Sequence, residues 1–171
     1  ACNTRENSDF ANLYNLMISS TTEELYSFKE KLVTTKHIRK RVVIDRQFAK
    51  DCPDIFNILR GYNITILNEK LPIHEIANEI HSASYFICSH LTTAVYGIFL
   101  SKKGTLIERR ILDAGCVEHA RLLANKVKCG YHEIGHEDIC NVGDFPDYFG
   151  MPLMYPVNVD YVNEVTQYIV G

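Results

Sequence analysis

Three groups of residues in this chain have the types and spacing that chemistry asks for. Ser89-His90-Leu91-Thr92-Thr93 brings hydroxyls and an imidazole together where an apolar run, Tyr85 to Cys88, gives way to a helix-compatible one. Free backbone N–H groups at a helix start, with hydroxyls and an imidazole beside them, favour an anion. The same residues have an ordinary reading, in which Thr92 or Thr93 caps the helix and His90 sits in a turn. Arg46 and Lys50 follow the first apolar strand and could neutralise a pyrophosphate without a metal, or stand as solvated charges. The third group, His132-Glu133-Ile134-Gly135-His136, spells His-Glu-x-x-His. On a helix the two histidines would bind zinc with Glu133 as base, and Asp147, Asp160 or Glu164 could complete the ligand set. Gly135 inside the motif and flanks without an apolar helical face argue against that helix. Ile139 and Val142 also stand where the extended metzincin pattern needs glycine and histidine, so the pattern reads as coincidence.

The elements that must position these groups follow from periodicity. Phe10, Leu13, Tyr14 and Met17, then Leu25, Phe28 and Leu32, recur at helical spacing and predict two helices over residues 10 to 33. The second opens with a capping box, Thr21-Thr22-Glu23-Glu24. From residue 41 strands and helices alternate. Strands are expected at Arg41–Asp45, Tyr62–Leu67, Ser84–Cys88, Thr105–Glu108 and Tyr131–Ile134. Helices are expected around Asp54–Arg60, after Pro72 with Ile73, Ile76, Ala77 and Ile80 on one face, over Thr92–Leu100, and through Ala120, Leu123, Ala124 and Val127. Gly130 marks the stop of the last of these. Gly135 to Pro156 reads as a long loop, and a final helix capped by Asp160 presents Val162, Val165 and Ile169. Such alternation predicts a doubly wound α/β domain with a mostly parallel sheet over 41–171, preceded by a helical segment over 1–40. Ligands of such sheets bind outside the carboxyl ends of the strands, near the point where strand order reverses. The segments of interest are therefore Arg46–Lys50, Ser89–Thr93 and Glu108–Asp113.

Composition narrows the function classes. The chain has 171 residues, 46% hydrophobic and 23% charged, with a net charge of -3, which supplies no electrostatic footprint for nucleic acid or an anionic membrane. No apolar run approaches the roughly 20 residues that cross a bilayer. The chain starts at Ala1 without an apolar leader, which suggests a processed product or a piece of a longer chain. Its six cysteines contain no Cys-x-x-Cys pair, so zinc ribbons and thioredoxin-like redox centres are disfavoured. The Asn63-Ile64-Thr65 sequon falls in an expected strand, the basic run Lys36–Arg41 reads as a solvated connector, and His74 and His81 read as surface residues.

The order of these residues resembles glycosyltransferase family 61 over residues 41 to 170. The resemblance rests on Val43-Ile44-Asp45-Arg46 with Lys50 beyond it, and on the helix Ile73 to Ala83. It rests also on Ser84-Tyr-Phe-Ile-Cys-Ser-His-Leu-Thr-Thr-Ala-Val-Tyr-Gly-Ile-Phe-Leu100 followed by Gly104-Thr-Leu-Ile-Glu108. Leu122 to Tyr131 and Val157-Asn-Val-Asp160 fit the family's ending. One departure is plain: His90-Leu91-Thr92 stands where the family has His-Gly-Ala. A leucine in place of a glycine that lets backbone approach a phosphate tightens such a pocket, which leaves a non-catalytic donor-binding domain as an alternative. The resemblance implies a Rossmann-like, nucleotide-sugar-binding half of a two-domain glycosyltransferase that is inverting and metal-independent. Its partners would be a nucleotide-sugar donor and a glycan or glycoprotein acceptor, in the endoplasmic reticulum or Golgi lumen. Ser89, His90, Thr92 and Thr93 would sit by the diphosphate, Arg46 and Lys50 would add positive charge, and Glu108 would lie near the nucleoside or its ribose. The acceptor side and the catalytic base would belong to the facing half, so no base is named.

Overall fold

The computed structural model describes residues 4–89, 91–109, 119–134, 165 and 167–170, with residues 4–9, 91 and 92 as backbone only. Five short strands form one parallel sheet: β1 (Arg41–Ile44), β2 (Asn63–Ile66), β3 (Tyr85–Cys88), β4 (Thr105–Arg109) and β5 (Gly130–Ile134). Their spatial order is β2-β1-β3-β4-β5. The chain therefore winds one way from β1 to β2 and then the other way through β3, β4 and β5. This is the doubly wound α/β architecture that the alternation predicts.

Strand alternation divides the core between two faces. Val43, Phe86, Cys88 and Leu106 point to one side, where α1 (Thr4–Ser19), α2 (Thr22–Leu32), α5 (Ile73–Ser82) and α7 (His119–Val127) cover them. Val42, Ile44, Ile87, Ile107 and Ile134 point to the other, under α3 (Arg46–Asp51), α4 (Ile55–Ile58) and the helical residues near Val165 and Ile169. Each fully buried side chain of this size stabilises the fold by about 1.5–3 kcal/mol. The N-terminal helices share the first core: Leu13, Met17 and Leu25 lie in it. They are also tied down by polar contacts. The Tyr26 hydroxyl donates to the Val127 carbonyl at 2.9 Å, and the Lys126 ammonium donates to the carbonyls of Met17, Ile18 and Ser20 at 2.7, 2.9 and 2.9 Å.

Several local expectations hold and several shift. The capping box is formed, with Glu24 N–H donating to Thr21 Oγ1 and Thr21 N–H to Glu24 Oε1. Ile76, Ala77 and Ile80 are buried on α5, while Ile73 packs at its margin. The expected helix over Thr92–Leu100 is a short α6 (Leu91–Ala94) that continues as a 3₁₀ helix, Val95–Phe99. All five residues of that 3₁₀ helix are buried, and Gly97 lets it approach α7 and β4 closely, since a Cβ there would lie 3.1 Å from Leu123 Cδ2. The helix expected around Asp54–Arg60 is the short α4, and a further helix, α3, occupies the segment Arg46–Lys50 read as a strand-end loop. Helix α7 stops at Lys128, whose φ of 62° is left-handed, while Gly130 is already the first residue of β5. The expected loop from Gly135 to Pro156, Asp160 and Val162 lie outside the described residues. Among the described residues no helix is long and apolar enough to cross a membrane.

Candidate functional site

The order β2-β1-β3-β4-β5 reverses between β1 and β3, so the crevice of interest lies where the carboxyl ends of those two strands diverge. Asp45 organises it. The residue directly follows β1, is 1% exposed, and its amide donates to the Ile87 carbonyl of β3 at 2.9 Å. Its carboxylate accepts three hydrogen bonds: from Phe48 N–H at 2.7 Å, from Ser89 N–H at 2.5 Å and from the Thr93 hydroxyl at 3.0 Å. The first caps α3, and the other two fasten the β3–α6 connection over the end of β1. One side chain thus fixes both loops that a ligand at the reversal point would touch. Hydrogen bonds to a carboxylate stabilise by about 1.5–3 kcal/mol each, so the arrangement is rigid by design of the sequence.

The residues expected at a diphosphate are partly brought together. Ser89 and Thr93 meet at Asp45, but they are used differently. Thr93 turns its hydroxyl inward to Asp45 and is 7% exposed. Ser89 is 4% exposed and gives only its N–H to Asp45, while its buried hydroxyl oxygen has no hydrogen-bond partner among the described residues. An orphan hydroxyl in the interior costs about 1–3 kcal/mol unless something completes it. Residue 90 and the side chains of Leu91 and Thr92 lie outside the described residues. Arg46, the exposed first residue of α3, lines a cavity of about 190 Å³ with Leu67, Glu69 and Lys70. It therefore sits on the β2 side of the carboxyl edge. Lys50 is exposed one turn later, and no described contact joins it to Ser89 or Thr93.

Glu108 stands on β4 in register with Cys88 and Glu133, half-buried on the α7 face. It accepts a hydrogen bond from the Tyr131 hydroxyl at 2.6 Å, and that hydroxyl also lies 3.4 Å from Glu133. Arg121 pairs with Glu133 at 3.6 Å and lies over the Tyr131 ring. Burial pushes the Cys88 thiol well up, and the Glu108 and Asp45 charges push the same way, so Cys88 is a small neutral core residue.

The cation most deeply set at this edge is one that the spacing argument passed over. Arg109 ends β4, is 4% exposed, pairs with Asp51 of α3 at 2.6 Å and lies over the Phe48 ring. Strand alternation puts it on the face opposite Glu108, and it clamps α3 onto the sheet. Only its adjacency to Glu108 at a strand end hinted at it.

His132 and Glu133 lie on strand β5 and point to opposite faces. His132 stacks on the Tyr168 ring at 4.0 Å, whereas Glu133 joins Tyr131 and Arg121. The helical spacing that would let His132 and His136 share a metal is not the geometry of residues 132–134, and His136 is outside the described residues along with Asp147, Asp160 and Glu164. The chain matches no family model and no curated protein.

Proposed function

We propose that this chain is the donor-binding unit of an inverting, metal-independent glycosyltransferase, with the diphosphate of a nucleotide sugar held at the crevice between β1 and β3. One observation carries the reading: a buried Ser89 hydroxyl without a partner among the described residues, at the sheet's reversal point, on a loop that Asp45 holds in place. A phosphate oxygen is a suitable acceptor for that hydroxyl. The resemblance to family 61 supplies the sugar-transfer chemistry, and Arg46 stands on the same edge as a source of positive charge.

In inverting transfer the acceptor oxygen attacks the anomeric carbon from the side opposite the leaving group. The bond from that carbon to the diphosphate oxygen breaks, and negative charge grows on the departing phosphate. Donors already fixed in position stabilise that charge without having to reorganise. Ser89 would donate to it, Asp45 and Thr93 would keep the loop in place, and the acceptor's proton would leave to a base on the facing half.

Thermal denaturation with a panel of nucleoside diphosphates and nucleotide sugars tests this. At millimolar concentration at least one should raise the melting temperature, and Ser89→Ala should weaken that ligand about tenfold without lowering the stability of the ligand-free chain. A panel without any stabilising member, or a shift that Ser89→Ala leaves intact, contradicts the reading. Stoichiometric zinc that is lost in His136→Ala would replace it with the metal-dependent alternative.

A further inference from the structure

The amino ends of the strands carry a second cavity, of about 300 Å³, away from the crevice. It is lined by segments that run into β1, β3 and β4: Val33–Thr35, His81 and Ser101–Lys102, together with α2. Lys29 of α2 lines it and is itself only 7% exposed. Its ammonium donates to the Leu100 carbonyl at 2.7 Å and lies 5.1 Å from the centre of the Tyr26 ring. An ammonium has three donor protons. Lys126 spends all of its own on three helix-end carbonyls, which is how a structural lysine looks in this molecule. Lys29 spends one, and among the described residues no carboxylate pairs with it.

Two groups face Lys29 with opposite effects, the Lys102 ammonium and the Cys129 thiol. Lys102 approaches the same Tyr26 ring at 5.2 Å, so one aromatic ring serves two ammonium groups. His81 lines the cavity with its Nδ1 3.1 Å from the Thr35 carbonyl, which corrects the expectation of a plain surface residue. Burial, and after it the Lys29 charge, holds the His81 imidazole below its usual range. Burial likewise holds Lys29 down to about 8, with Cys129 acting against the shift and Lys102 adding to it. Glu30 is the one carboxylate on the lining, and its side chain is exposed.

We propose that this cavity binds an anion of the phosphate class, taken between Lys29 and Lys102. Two ammonium groups with spare protons supply the charge-assisted donors, and the hydroxyls of Thr34 and Ser101 lie on the same wall. The Tyr26 ring and Val33 favour a phosphate monoester carrying a flat or apolar substituent over free phosphate. The site is separate from the carboxyl-edge crevice and does not depend on the glycosyltransferase reading.

Isothermal titration of the full chain with inorganic phosphate and with phenyl phosphate, at matched ionic strength in chloride, tests the proposal. Saturable binding of phenyl phosphate is expected, weakened about tenfold by Lys102→Ala, an exposed position where folding is not at stake, and similarly by Lys29→Met, which keeps the apolar stem. Ser89→Ala at the opposite edge should leave it unchanged. Tighter binding of phenyl phosphate than of phosphate identifies a monoester, and the reverse order identifies free phosphate at the same site. Binding that Lys102→Ala and Lys29→Met leave untouched, binding lost in Ser89→Ala, or no saturation by about 10 mM of either probe overturns it.

Discussion

The two ends of the sheet bury charge in opposite ways. At the carboxyl edge Asp45 is surrounded by donors, and its carboxylate accepts from two backbone amides and a hydroxyl. At the amino edge Lys29 has one hydrogen-bond acceptor among the described residues, a cationic neighbour in Lys102 and a cavity before it. A buried charge whose hydrogen bonds are complete holds structure together, while one left short of partners is costly and calls for a ligand. The same distinction separates neighbours at the carboxyl edge itself: Thr93 is satisfied by Asp45, whereas the Ser89 hydroxyl has no partner among the described residues. Completeness of hydrogen bonding, more than residue type, therefore tells scaffold from contact.

The comparison breaks first at Asp45. Asp45→Ala should destabilise the chain by about 3–5 kcal/mol in urea denaturation, because it uncaps α3 and releases the β3–α6 loop together. A loss below about 1 kcal/mol would mean that the loop is held by something else.

Lys29 should behave in the opposite sense. Its ammonium is held at about 8 in the fold against an ordinary 10.5, so between those values the unfolded chain binds the extra proton and stability rises with pH. Below pH about 8 both states are protonated and the penalty, on the order of 3 kcal/mol, is constant. Lys29→Met should therefore be more stable than the parent at pH 7, with the gap narrowing as pH rises from 8 to 9. Cys129 faces Lys29 and acts in the opposite sense above pH 9, so the comparison is read between pH 7 and 9. That thiol is pushed up to about 11 by burial and loses stability for the fold above its ordinary 9. A gap that does not change with pH would show Lys29 to be conventionally solvated.

Thr93→Val keeps the shape of the side chain and removes one donor to Asp45, so a loss of about 1.5 kcal/mol by the same denaturation sharpens the contrast with Ser89→Ala, which should cost nothing in the absence of ligand. The smallest effect expected is at Lys128. Its left-handed φ suits glycine, and Lys128→Gly should stabilise by about 1 kcal/mol, read as a rise of a few degrees in melting temperature.

How far these regions were legible depends on whether an element is long enough to display a period. Ile73, Ile76, Ala77 and Ile80 announce α5 because ten residues give nearly three turns, and Thr21 with Glu24 announces the start of α2. Six residues of α3 give no such pattern, and its capping residue, Asp45, reads equally well as the last residue of a strand. The same ambiguity hid Asp45's role in joining two loops, since its partners Ser89 and Thr93 are more than forty positions away. Lys29 did leave a trace. With Leu25, Phe28 and Leu32 it completes an i, i+3, i+4, i+7 set, and a lysine in the i+4 place of an apolar face is the mark of a buried cation. Arg109 left less, because strand alternation assigns a face only once the edge of the strand is known.

The central claim concerns the carboxyl edge, and calorimetric titration of the chain with uridine and guanosine diphosphates tests it most directly. The account predicts saturable millimolar-or-better binding of one of them to the parent, weakened about tenfold in Ser89→Ala and unaffected by Lys102→Ala. Equal affinity in the parent and Ser89→Ala, or no binding of either nucleotide, would contradict it.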